Sequence, residues 1–351
     1  PAVAATPPVS PDLLARAEVL DDPVRHARAL ACLGWSEAQL GMASARTTTD
    51  RLAELLPSIE APEVRAAMMR RVAGLQQQTN RGAESIETLM DALDLVEREG
   101  LDDERTSLLI NLAIAHSEAR NHEVAIGHYE TALSALSADD GRRMPILYNL
   151  GLTLRGADRN EDARDVFGQL VEPLSAPGLE IRLASLLSVL GSIELELGNL
   201  DAAERFLARS DALHDDLDNP GEHAALLIEW SELARRRGDI DAAIAHAREA
   251  LAEAERAEFT PSIRGALRNL ATVLAAAGRF EEAMDIQGRY VTVSDDFWRA
   301  QMESRLEDAE ARYGNERQAR ELAELRQASQ EQDFILRRER LRQQLLLGLG
   351  I

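Results

Sequence analysis

The sequence contains no lysine, so all 39 of its basic residues are arginine. That absence removes every chemistry that needs an ammonium group: a phosphate-loop Gly-Lys, a Schiff base, a Ser-Lys nucleophile. Cysteine is nearly absent as well. Cys32 stands alone and can form neither an internal disulfide nor a Cys-based zinc site. Aromatic residues make up only 4% of the chain, less than a β-rich fold would use. Positive charge is short: 39 basic against 61 acidic residues leave a formal net charge of −22. Such a surface repels phosphate backbones, which argues against a nucleic-acid partner. There is no Gly-x-Ser-x-Gly elbow, dinucleotide fingerprint or phosphate loop, so no enzymatic reaction and no cofactor is assigned.

What is present is Ala, Leu, Glu and Arg, the residues with the strongest helix propensity. Their order repeats. "LGSIELELGNLDAAERF" from Leu190, "WSELARRRGDIDAAIAH" from Trp230 and "LATVLAAAGRFEEAMDI" from Leu270 share one register. A large residue precedes a small one at Gly34, Ala73, Ala113, Gly151, Gly191, Ser231 and Ala271, spaced 39, 40, 38, 40, 40 and 40. Gly follows seven residues on at Gly198, Gly238 and Gly278, and Ala five later at Ala203, Ala243 and Ala283. Apolar residues within each unit recur at three and four, the pattern of amphipathic helices. The small residue belongs where two helices cross closely, and the Gly where the first helix turns back. Twelve residues after Gly34 stands Arg46, which breaks the first unit's pattern and suits a capping unit. The expected fold is all-α: a solenoid of about seven helix pairs over residues 22–293, then a long charged helix over 294–347.

Candidate ligand residues are few. His122 and His128 in "HEVAIGH" are six apart, about 240° around a helix, which is wrong for a two-histidine zinc helix. "DLDNPG" from Asp216 begins like a calcium loop but fails at Pro220 and Leu227, and is read as a loop between repeats. No metal site is assigned.

The register resembles the tetratricopeptide repeat: large-small at its seventh and eighth places, turn Gly at its fifteenth and Ala at its twentieth. The resemblance covers about residues 22–293, with a period longer than the usual 34. It implies a concave groove lined by the first helix of each unit, holding a peptide or protein segment. Two residues before the small position come Cys32, Arg71, Asn111, Asn149, Val189, Glu229 and Asn269. In tetratricopeptide proteins that bind extended peptides, Asn at this place reaches the ligand backbone, since an amide both donates and accepts. The alternative is that these Asn bridge or cap neighbouring helices. The groove residues expected are therefore Arg71, Asn111, Asn149, Ser192, Glu229 and Asn269, among small polar neighbours such as Ser107 and Ser185.

The two ends carry further expectations. Residues 1–21, rich in Pro and Ala, read as a flexible leader or the start left by a removed signal peptide. Leu306, Tyr313, Leu322, Leu325 and Leu336 form broken heptads, the seam of a homodimeric coiled coil. From Leu345 an apolar run begins, read as the start of a membrane segment. The order resembles the input region of bacterial membrane-anchored signalling proteins that carry a GGDEF-type diguanylate cyclase or a histidine kinase. That resemblance implies a periplasmic sensor whose output lies past residue 351. The alternative is a cytoplasmic peptide receptor or adaptor. The arginines at 337, 338, 340 and 342 run against the first topology, because basic residues favour the cytoplasmic side.

Overall fold

A computed structural model describes residues 22–42, 44–214 and 219–303, and every regular element among them is helical. The described chain divides into two compact units. Among the described residues, the first holds 22–59 together with 302–303. In it α1 (Pro23–Gln39) packs on α2 (Ser44–Leu55), and a 3₁₀ turn follows at Leu56–Ser58. The second, Glu60–Gln301, is a solenoid of six successive pairs. These are α3 (Pro62–Gln78) with α4 (Gly82–Glu99), α5 (Asp102–Glu118) with α6 (His122–Ser134), and α7 (Arg143–Gly156) with α8 (Asn160–Gly168). The four-residue α9 (Val171–Leu174) comes next. Then follow α10 (Glu180–Glu196) with α11 (Leu200–His214), α12 (Pro220–Arg237) with α13 (Ile240–Arg256), and α14 (Thr260–Ala276). The partner of α14 is α15, which starts at residue 280 and runs unbroken through 303.

Proline and short polar side chains set where the helices begin. Pro23, Pro62 and Pro220 open α1, α3 and α12, where a missing N–H costs nothing. Asp22 accepts the N–H groups of Val24 and Arg25, and Asp239 that of Ala242, each at about 3 Å. Termination is uniform. In all seven pairs the residue seven after the small position has positive φ: Gly41, Asn80, Arg120, Asp158, Gly198, Gly238 and Gly278. In each, the next N–H reaches back to the fifth carbonyl before it, as from Asn199 to Glu194 (2.8 Å) and from Asn121 to His116 (2.8 Å). Two orphan carbonyls per helix are thereby satisfied. Three turns in the second unit, at Asn80, Arg120 and Asp158, use a non-glycine residue in a conformation that costs about 1 kcal/mol, while the first pair and the last three use glycine.

The small position does what the spacing implies. A Cβ built on Gly191 would lie 2.5 Å from Cδ2 of Leu207, itself fully buried on the paired helix. Ser231 instead donates its hydroxyl to the Ala243 carbonyl at 2.9 Å, bridging α12 and α13. Arg46 does not occupy the first unit's alanine place. Ala45 does, fully packed eleven residues after Gly34, while Arg46 faces water. In the second unit the core is a chain of overlapping clusters shared between successive pairs. One joins Ala113, Tyr129, Leu150, Phe167 and Leu190 across three of them.

Residues 1–21, the seam residues Leu306, Tyr313, Leu322, Leu325 and Leu336, and the run from Leu345 lie outside the described residues. So does most of the helix expected over 294–347; residues 294–303 continue α15. Among the described residues no helix is long and apolar enough to cross a membrane.

Candidate functional site

The first helices α3, α5, α7, α10, α12 and α14 carry the positions picked out by the register. Asn111 turns its amide along its own helix, donating to the Ser107 carbonyl at 2.7 Å. Asn269 is half-buried, and its side-chain oxygen has no partner. Arg71 is exposed, and Asn149 is half-buried without a side-chain hydrogen bond. Glu229 and Ser192, chosen separately, meet: the Ser192 hydroxyl bonds the Glu229 carboxyl. Burial pushes that carboxyl up to about 7, although the Ser192 bond and the Arg155 charge pull against it. The structure thus joins Glu229 to Ser192, while Arg71, Asn111, Asn149 and Asn269 each stand apart.

Neighbouring first helices are tied by polar contacts running along the solenoid. Ser117 and Thr153 share a hydrogen bond of 3.1 Å, Arg155 pairs with Glu196 at 2.8 Å, and Ser185 donates to Glu222 at 2.9 Å. These contacts fix the spacing of the repeats and consume much of the polar surface a ligand would meet. Asn149 escapes this.

Asn149 lines a cavity of about 460 Å³ between α7 and α10. Met144, Pro145 and Tyr148 form one wall and Ile181 the other, while Leu170 and Leu174 form the floor. Asn149, Arg182 and Ser185 are the polar groups on its rim. The cavity has an identifiable origin. The second helix of this pair ends at Gly168 after nine residues, against thirteen in α6 and fifteen in α11. The chain then bends into α9, which carries Pro173, and the space that a longer helix would cover stays open. Tyr148 and Ile181 keep 37% and 51% of their surface exposed, as large apolar residues waiting for cover do. Sequence reasoning picked out Asn149 and Ser185 but missed this cavity. "VEPLSAPG", from Val171, was its only signal.

A second depression, of about 450 Å³, lies at the corresponding ends of α12 and α14. Glu222 and Phe259 line it. The Ser185–Glu222 hydrogen bond therefore joins the rim of the first cavity to that of the second.

His122 buries both ring nitrogens without partners and packs on Gly156. His128 stacks on His116 with ring centroids 5.6 Å apart. Among the described residues no group of three or more His, Cys, Asp or Glu side chains could hold a metal ion.

Comparison with known proteins agrees with this architecture. Residues 64–138, which span α3 to α6, match the tetratricopeptide repeat family. No curated protein sequence matches the chain. Among solved structures, the apo form of RapI superposes with a TM-score of 0.59 at 12% identity, covering 78% of this chain and 99% of that one. Aspartyl phosphate phosphatase F from Bacillus subtilis gives 0.56 at 15% identity, covering 81% and 74%. A tetratricopeptide repeat protein from Parabacteroides merdae gives 0.52 at 16%, covering 65% and 79%. At these identities the likeness concerns the fold. Residues 64–138 match the tetratricopeptide repeat family directly, the same register recurs in the other helix pairs, and the described residues form an all-α solenoid.

Proposed function

We propose that the second unit binds an extended peptide or protein segment across the ends of its first helices. A large apolar side chain of that segment enters the cavity between α7 and α10. The observation that carries this reading is the cavity itself: about 460 Å³, walled by apolar side chains, with one unpaired amide at its edge. That volume lies within the usual range for ligand sites, and its few polar groups are of the kind that orient a ligand rather than react with it. Asn149 has both a donor and an acceptor free for a ligand backbone. The neighbouring depression, reached over the Ser185–Glu222 bond, gives the segment a path longer than one residue.

The reading is tested by screening a random peptide library against the intact chain by fluorescence anisotropy. Selected peptides should share a large apolar residue, and Ile181→Asp should abolish their binding. Asn149→Ala should weaken it about tenfold, the equivalent of one lost hydrogen bond to a buried partner. Unchanged binding in both variants would remove the cavity from the proposal. A relay from this unit to a signalling output rests on the sequence pattern of residues 304–351 and is a separate matter from the binding.

A further inference from the structure

The cavity between α7 and α10 carries a charge opposite to that of the chain. Acidic residues outnumber basic ones 61 to 39, yet no acidic side chain lines this cavity and its one charged group is Arg182. Elsewhere in the solenoid arginines are tied to carboxylates of neighbouring repeats, Arg155 to Glu196, Arg237 to Asp201 and Glu204, and Arg289 to Glu255. Arg182 is exposed and has no ion pair or hydrogen bond among the described residues. The acids around it are engaged by other groups. Glu180 accepts the Gly178 N–H at 2.9 Å. Glu222 accepts the Ser185 hydroxyl at 2.9 Å and stands in the first turn of α12, where the helix dipole favours it.

The backbone adds to the same sign. Met144 and Pro145 belong to the first turn of α7, and Ile181 and Arg182 to the first turn of α10, so the cavity lies at two helix N-termini. Each is the positive end of its helix dipole. No acidic residue in the first turn of α7 offsets it. An apolar hollow with an unpaired guanidinium on its rim suits an apolar group that has an anion beside it. In a peptide that anion is a carboxylate, which a guanidinium grips through two parallel hydrogen bonds.

We infer that Arg182 determines which segments bind: the segment carries a carboxylate next to the large apolar side chain that fills the cavity. A neighbouring Asp or Glu, or the segment's own C-terminus, supplies the same chemistry. The inference rests on the peptide reading of this cavity and adds a specificity-determining residue to it. The apolar side chain covers Tyr148 and Ile181, the Asn149 amide holds the segment's backbone, and the Arg182 guanidinium takes the carboxylate. At longer range a chain of net charge −22 repels an acidic peptide. A preference for one therefore needs a local site of opposite sign.

Labelled peptide pools, titrated with the full chain in fluorescence anisotropy, test it. Three pools, all amidated, fix one Phe and place Glu, Gln or Arg beside it. A further pair ends on Phe, once as the free acid and once as the amide. The Glu pool, the free-acid pool or both should bind about fivefold tighter than the neutral counterpart, and the pair that differs identifies the source of the carboxylate. The difference should vanish in Arg182→Gln and at ~1 M salt, where the Debye length is ~3 Å. Arg182→Glu should turn the preference toward the Arg pool. Ile181→Asp should abolish binding of every pool. Equal binding of anionic and neutral pools by the parent, or a difference that survives in Arg182→Gln, would overturn the inference and leave the peptide site standing. Failure of every pool to bind the parent would overturn both.

Discussion

Gly151 on α7 and Phe167 on α8 are matched to each other: a Cβ on Gly151 would lie 2.6 Å from Cζ of the Phe167 ring. Phe167 is fully buried and has nowhere to retreat. Gly151→Ala should therefore destabilise the protein by about 1–3 kcal/mol through overpacking. Gly127 is the control, since it sits exposed within α6 with nothing within 4 Å of a built Cβ. Gly127→Ala should stabilise by about 0.5–1 kcal/mol, because glycine loses the most backbone entropy in a helix. Urea denaturation separates the two. Equal effects would mean that the helix crossing does not require the glycine.

Arg120 turns α5 into α6 with φ of 60°, in a place where Gly198, Gly238 and Gly278 serve later repeats. Its side chain is exposed. Arg120→Gly should relieve the left-handed strain and leave the fold unchanged, raising stability by about 0.5–1 kcal/mol after the entropy of the unfolded chain is subtracted. A thermal melt reads the result, and a lowered midpoint would contradict it.

Much of this fold could be read directly from the residues. Helix pairing, period and the close crossings follow from the large-small positions, since only small side chains permit those crossings. Turns at Asn80, Arg120 and Asp158 were invisible, because left-handed backbone at a non-glycine residue is set by the helices on either side. Arg46 misled because the buried place in the first unit is Ala45, eleven residues after Gly34, which a fixed twelve-residue count cannot follow. The cavity beside Asn149 depends on where α8 stops, a consequence of packing and of Pro173 rather than of the repeat. On α15 the register had placed Ala283, and the structure adds that Ile286 joins it in the core while Phe280 and Met284 are exposed.

Glu229 should give the protein a pH signature. Its carboxyl is raised by burial to about 7 from 4.5. Between these values the folded chain holds a proton that the unfolded chain has released. Stability from this group is complete below about pH 4.5 and is lost as pH rises toward 7. Glu229→Gln should flatten that decline and be more stable than the parent above pH 7, by roughly 1–3 kcal/mol. His116, His128 and His214, lowered chiefly by burial, act in the opposite sense below pH 6.5. They are common to both proteins and cancel in the difference. Stability-versus-pH curves that stay parallel from pH 4.5 to 8 would count against a half-buried, protonated Glu229.

The central claim is that ligand is held between α7 and α10. Hydrogen–deuterium exchange of the intact chain, with and without a peptide selected for binding, tests it most directly. The account predicts slowed exchange in residues 144–152 and 181–189, a smaller effect near 219–225, and none in α4 or α6. Protection confined to α4 and α6, or spread evenly along the chain, would contradict it.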